Sequence, residues 1–140
     1  DNAFLERLAA VHDRYEAKTS LVCDRDPHPE RYGVIVGKEV SRGNYRVDRI
    51  VEKPKIPPSD LVAAAVYLFD PIIFKALEEA PETAKEKELT DAIQRLVQQE
   101  KSIYAVELTT EEERLDIGTS ETYKLALDKS YDWAKHTRIP

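Results

Sequence analysis

Apolar residues recur along this chain in two alternating rhythms, helical and extended, and that alternation predicts an α/β fold before any motif is considered. Phe4, Leu5, Leu8, Ala9, Val11 and Tyr15 fall at helical spacing, which predicts an amphipathic helix over residues 3–15 with Asp1 or Asn2 as candidate caps. A strand over 19–24 follows. Asp26-Pro27-His28-Pro29 is turn chemistry, because two prolines remove two backbone donors and stop any helix. Residues 32–37 read as a short buried strand, Gly43-Asn44 as a turn and 45–52 as an alternating strand, so the pair forms a hairpin.

Past the prolines at 54, 57 and 58, residues 61–69 are too short and too continuously apolar for anything but a central strand covered on both faces. Asp70 stands where a cap belongs, Pro71 suits a first helical turn, and Ile72, Phe74 and Leu77 carry a helix to about residue 79. The charged stretch 81–88 predicts a loop. Thr90 then caps a second helix with Ala92, Ile93, Leu96 and Val97 on one face. Residues 102–108 alternate as a strand, 115–117 form a short one, and 121–133 read as a terminal helix. The expectation is a single domain over 1–140, a mixed β-sheet with flanking helices.

Composition narrows the function classes. At 41% hydrophobic and 34% charged, 140 residues suffice for one core in one soluble domain. The net charge of −6, without a Lys/Arg cluster, argues against nucleic acid and anionic membrane as partners. No apolar run reaches the roughly 20 residues a membrane-spanning helix needs. The single cysteine, Cys23, lies in an apolar run and reads as a buried hydrophobe, which suits the cytoplasm.

Candidate chemistry gathers at the ends of apolar runs, where ligands bind in α/β folds. In Val51-Glu52-Lys53-Pro54-Lys55 the proline biases Lys53 to an extended backbone and ends the ladder. Lys53 can hold a phosphate as a point charge and Glu52 can accept hydrogen bonds from hydroxyls. A regular strand would send these two side chains to opposite faces, so the proline must break the alternation if both serve one ligand. Gly33, after Tyr32, marks either a bulge or a close backbone approach to a ligand. Asp116, in Leu115-Asp116-Ile117-Gly118-Thr119, offers a hard oxygen suited to Mg²⁺. Leu89-Thr90-Asp91-Ala92-Ile93 is explained by capping, with Glu88 beside it. His12, His28 and His136 show no metal-ligand spacing.

In their order along the chain these motifs resemble the sugar-1-phosphate nucleotidyltransferases, most closely the glucose-1-phosphate uridylyl- and thymidylyltransferases, from about residue 5 to about residue 127. The resemblance implies a partial Rossmann-like nucleotide-diphospho-sugar transferase fold. It implies that Glu52 and the Gly33 backbone hold the sugar, with Tyr32 and Glu88 in the pocket, that Lys53 holds the sugar phosphate, and that Asp116 is one Mg²⁺ ligand. The family has glycine where Ala65 stands near the sugar, so this methyl group narrows the pocket or changes which sugar fits. No nucleophile is implied, because the sugar phosphate oxygen attacks the nucleotide α-phosphorus directly.

The family's glycine-rich nucleotide-binding loop and first metal aspartate have no counterpart here, the chain opens with Asp1, and it contains no methionine. The expectation is a C-terminal portion of a nucleotidyltransferase domain, lacking the N-terminal half and inactive alone on a sugar 1-phosphate and UTP or dTTP. An unpaired sheet edge and exposed apolar surface would favour a homo-oligomer. The alternative is a non-catalytic regulatory or assembly module that retains the fold.

Overall fold

The computed structural model describes residues 3–80 and 88–136. The amphipathic start folds as α1 (Ala3–Arg14), burying Leu8 and Val11. There follow β1 (Thr19–Arg25), a 3₁₀ turn (Pro29–Arg31), the hairpin of β2 (Gly33–Ser41) and β3 (Asn44–Glu52), and β4 (Leu61–Phe69). Helices α2 (Ile72–Glu79) and α3 (Leu89–Gln98), strand β5 (Ile103–Glu107) and helix α4 (Ser120–His136) complete the order. The hairpin turns at Arg42-Gly43 instead of Gly43-Asn44, with Gly43 at φ +70°, a conformation glycine adopts without strain. The predicted loop over 81–88 falls outside the described residues except for Glu88.

Hydrogen bonding runs β1-β4-β2-β3-β5 and returns to β1. The β1–β5 pair is parallel and the other four are antiparallel, which makes the sheet mixed. Alternation sorts β1, β4 and β5 between two cores, while β2 and β3 contribute to the first. Leu21, Cys23, Ile35, Ile103 and Ala105 pack with Ile73, Ile93 and Leu96 beneath α2 and α3, while Val22, Tyr104 and Val106 pack with Leu8 and Val11 beneath α1. Cys23 is a free thiol in the first cluster, and burial pushes it well above its ordinary pKa, as befits a small hydrophobe.

β4 is apolar toward both cores, but it is central only at its start. It pairs with β1 over its whole length and with β2 at Val34↔Val62 alone, so among the described residues Ala63–Phe69 has a ladder partner on one side. Asp70 caps α2 as expected: its Oδ1 accepts from the Ile72 N–H at 3.0 Å, and Lys18 bonds Oδ2 at 2.8 Å. Lys18, and then that N–H, hold the Asp70 carboxyl below the usual carboxylate range.

Two elements depart from the sequence reading. Residues 115–117 form no strand; they run irregularly, with Leu115 and Ile117 exposed, because nothing among the described residues pairs with them. Thr90 is not the cap of α3. Glu88 occupies that position with no side-chain cap bond, and Thr90 lies inside the helix, spending its hydroxyl elsewhere.

Candidate functional site

The candidate site is built where β3 ends against α3. Gln94 Oε1 accepts the Ile50 N–H at 2.7 Å and so pins α3 across β3, bringing the first turn of the helix over Glu52. The Thr90 hydroxyl, on a residue 7% exposed, donates to Glu52 Oε2 at 2.6 Å. Gly33 is the ladder partner of Glu52. A methyl group at Gly33 would stand 3.2 Å from Glu52 Oε2 and 3.3 Å from Thr90 Oγ1, which is tighter than ordinary packing. Tyr67 on β4 feels the same carboxylate: burial, and then the Glu52 charge, push its hydroxyl above the ordinary tyrosine pKa.

Lys53 does not take the extended backbone that a following proline favours. Its φ is +38°, in the left-handed region where a non-glycine residue is strained. The ladder reaches one step past Glu52, because the Lys53 N–H donates to the Tyr32 carbonyl at 3.0 Å. This local twist, and not an end to pairing, breaks the strand alternation. The end of β3 from Arg49 to Lys53 lines one open cleft of about 610 Å³ with Glu88, Asp91, Gln94 and Gln98, and within it Lys53 Nζ lies 3.4 Å from Glu52 Oε1.

Asp116 belongs to a second cluster. Its Oδ1 accepts the Gly118 N–H at 2.9 Å and its Oδ2 accepts the Tyr32 hydroxyl at 3.2 Å. The Arg114 guanidinium covers the Tyr32 ring at 4.2 Å and donates to Asp26 at 2.5 Å, while its buried Nε makes no hydrogen bond. Tyr32 therefore joins the clusters, with its carbonyl on Lys53 and its hydroxyl on Asp116. As a metal donor Asp116 supplies one exposed hard oxygen set. Among the described residues no group of three His, Cys, Asp or Glu is placed to hold an ion, and Mg²⁺ bound here would depend on phosphate oxygens for further ligands.

Of the residues singled out from sequence, the fold brings Gly33, Glu52, Lys53 and Glu88 together and ties Tyr32 to Asp116. Ala65 does not line the cleft. It sits two residues from Tyr67 in a bulge, where β4 shifts register against β1 between the pairs Leu21↔Tyr67 and Cys23↔Ala63, and its φ is +57°. An L-residue there is strained by about 1–2 kcal/mol, partly offset by the lower unfolded-state entropy of alanine. Ala65→Gly is expected to stabilise the chain by about 0.5–1 kcal/mol in urea unfolding. Thr90 and Tyr67 were not legible as site residues; a threonine opening an apolar helix reads first as a cap, and a tyrosine in an apolar strand as core.

A second groove of about 610 Å³ lies between α1 and the β2–β3 turn, and two of its charged residues are paired within the fold: Arg7 is bidentate to Glu112 at 2.9 and 2.6 Å, and Glu107 takes Arg25 and Tyr45. His12 Nδ1 lies 3.0 Å from Ser20 Oγ and His28 beside Glu30, neither near the cleft lining. The His136 side chain lies outside the described residues.

Residues 2–131 match the family model described as nucleotidyl transferase. A Bacillus subtilis protein assigned as a UTP–glucose-1-phosphate uridylyltransferase is 41% identical over 139 residues, covering 97% of this chain and 49% of its own length. The Pseudomonas aeruginosa UTP–glucose-1-phosphate uridylyltransferase is 31% identical over 132 residues, covering 91% of this chain and 46% of its own. A UDP-glucose pyrophosphorylase solved with UDP-glucose overlays at a TM-score of 0.81 and 28% identity, over 91% of this chain and 49% of that one. The chain thus spans about half the length of the curated relatives it matches, with the mixed sheet and flanking helices of the nucleotide-diphospho-sugar transferase fold. By the family model that spans residues 2–131, it belongs to the nucleotidyl transferase family.

Proposed function

We propose that this chain is the sugar-binding, C-terminal part of one nucleotidyltransferase domain, which joins glucose 1-phosphate or a related sugar 1-phosphate to UTP or dTTP with release of pyrophosphate. The observation that carries the reading is the approach of Lys53 Nζ to 3.4 Å from Glu52 Oε1 at this cleft, although the two residues are consecutive at a strand end and Lys53 has a left-handed φ. Lys53 holds the sugar phosphate, Glu52 accepts from a sugar hydroxyl, and Glu88 lines the far wall. Asp116 would give one carboxylate to Mg²⁺, which neutralises phosphate charge when bound. The residues in these clusters are suited to position and neutralise charge, and no nucleophile paired with a base stands among them. The free, buried thiol of Cys23 accords with a cytoplasmic protein, and no described helix is long and apolar enough to cross a membrane.

Calorimetric titration of glucose 1-phosphate and UDP-glucose into this chain with Mg²⁺, beside Lys53→Ala, tests the half-site. Loss of a charge-assisted contact is expected to weaken binding at least about tenfold in the variant. Equal affinity in the two proteins, or no binding to the unaltered chain, would overturn the reading. The chain alone should form no product, and pyrophosphate release from UTP and glucose 1-phosphate would contradict that.

Self-association belongs to the same proposal. On α4, Tyr123, Leu127, Tyr131 and Trp133 are all more than half exposed, and β4 carries its one-sided ladder from Ala63 to Phe69. Sedimentation is expected to show species larger than a monomer as concentration rises; a single monomeric boundary throughout would oppose this.

A further inference from the structure

We infer that Thr90 is a positioning residue for the Glu52 carboxylate: it takes up one oxygen so that the other is held open to a ligand hydroxyl beside Lys53. The inference rests on the sugar-phosphate reading of the cleft and goes one step further, to what sets the orientation of its acceptor edge. A threonine inside a helix ordinarily returns its hydroxyl to a backbone carbonyl one turn earlier. Thr90 instead donates across 38 positions of sequence to Glu52 Oε2, and 2.6 Å is the length of a charge-assisted O–H···O⁻ bond. Thr90 is buried, so this donor has no ready exchange with water.

Consider the carboxylate without that bond. Glu52 and Lys53 are adjacent, oppositely charged and line the same cleft, and a carboxylate free to turn would close onto the ammonium with both oxygens, each charge satisfying the other. Thr90 holds Oε2 on the helix side, so Lys53 meets only Oε1, at 3.4 Å, which is beyond a good hydrogen bond. The pair stays poised: one acceptor edge next to one cation. That arrangement suits a ligand presenting a hydroxyl donor close to an anionic group, as a sugar phosphate does, and offers an inorganic anion only Lys53. Gly33 completes the device. The space a methyl group would fill lies 3.2 Å from Glu52 Oε2 and 3.3 Å from Thr90 Oγ1, so glycine lets the two oxygens meet without displacement, independently of any contact with ligand.

The test uses the whole chain with Thr90→Val, which removes the hydroxyl at nearly constant shape, and Thr90→Ser, which keeps it. A double-mutant cycle of Thr90→Val with Glu52→Leu, each of which removes the hydrogen bond, should show coupling of about tenfold in the unfolding constant in urea. In a parallel NMR titration, Thr90→Val should weaken glucose 1-phosphate about tenfold, leave inorganic phosphate within about twofold, and be rescued by Thr90→Ser. Coupling below about twofold overturns the inference whatever the chain binds. Equal losses for both ligands also overturn it, since a purely structural Thr90 would act on both. Failure of the unaltered chain to bind glucose 1-phosphate would instead overturn the functional reading, and the unfolding cycle would still decide the Thr90–Glu52 pairing alone.

Discussion

Gly37→Ala is expected to cost this chain about 3 kcal/mol, the upper part of the range for overpacking a tight site. At this point the β2–β3 ladder shifts register, passing from Val36↔Arg49 to Gly37↔Val47, and the partner backbone closes over Gly37. A methyl group would collide with the Arg46 carbonyl oxygen and lie 3.2 Å from its carbon and 3.4 Å from the Val47 Cα. These are backbone atoms in a hydrogen-bonded strand, so they cannot give without opening the hairpin that carries Gly33 and Glu52. Gly43→Ala is the informative control. There the methyl group meets only the Glu107 Cβ at 3.8 Å, and the cost is the left-handed φ of +70°, about 1 kcal/mol. Urea unfolding of the two variants separates steric from dihedral cost; equal losses would refute the packing account of Gly37.

Gly33→Ala is expected to do the reverse, sparing the fold and removing the ligand. Its methyl group presses on the Glu52 carboxylate and the Thr90 side chain, both of which can turn aside. Glu52 then loses the 2.6 Å bond that sets its orientation, and the acceptor edge beside Lys53 goes with it. Losing one charge-assisted hydrogen bond and the pose it fixes corresponds to about 10–100-fold weaker glucose 1-phosphate binding, with a stability loss well under that of Gly37→Ala. Calorimetry and urea unfolding on the same sample check both halves. Unchanged affinity would sink the assignment of Gly33 and Glu52 to one pocket.

Much of the site was legible because its residues stand at breaks in an otherwise regular pattern. Glu52-Lys53 ends an alternating run before a proline, Gly33 opens one, and Asp116 precedes a glycine; each break is visible as local chemistry. Backbone detail was not legible. The proline rule predicts an extended Lys53, and the ladder bond to Tyr32 and the cleft override it. Thr90 was misread for a related reason, since capping is the commonest use of a threonine at a helix start and its true partner lies 38 residues away. Residues 115–117 carry strand-like composition, but a strand exists only where another strand offers its edge.

The sequence by itself determined most element types, the mixed α/β layering and the burial of Cys23, because hydrophobic period and turn chemistry act over a few residues and do not depend on what lies across the fold, while the ordered motifs carried the resemblance to the family. Tertiary structure decided everything that needs two distant segments to meet: the ring of strands that closes through Val34↔Val62, the strain at Lys53 and Ala65, the pairing of Thr90 with Glu52, and the span of Tyr32 between Lys53 and Asp116. At Lys53 and Ala65 a local preference of about 1–2 kcal/mol is overridden by the surrounding fold, and the other features exist only where distant segments meet.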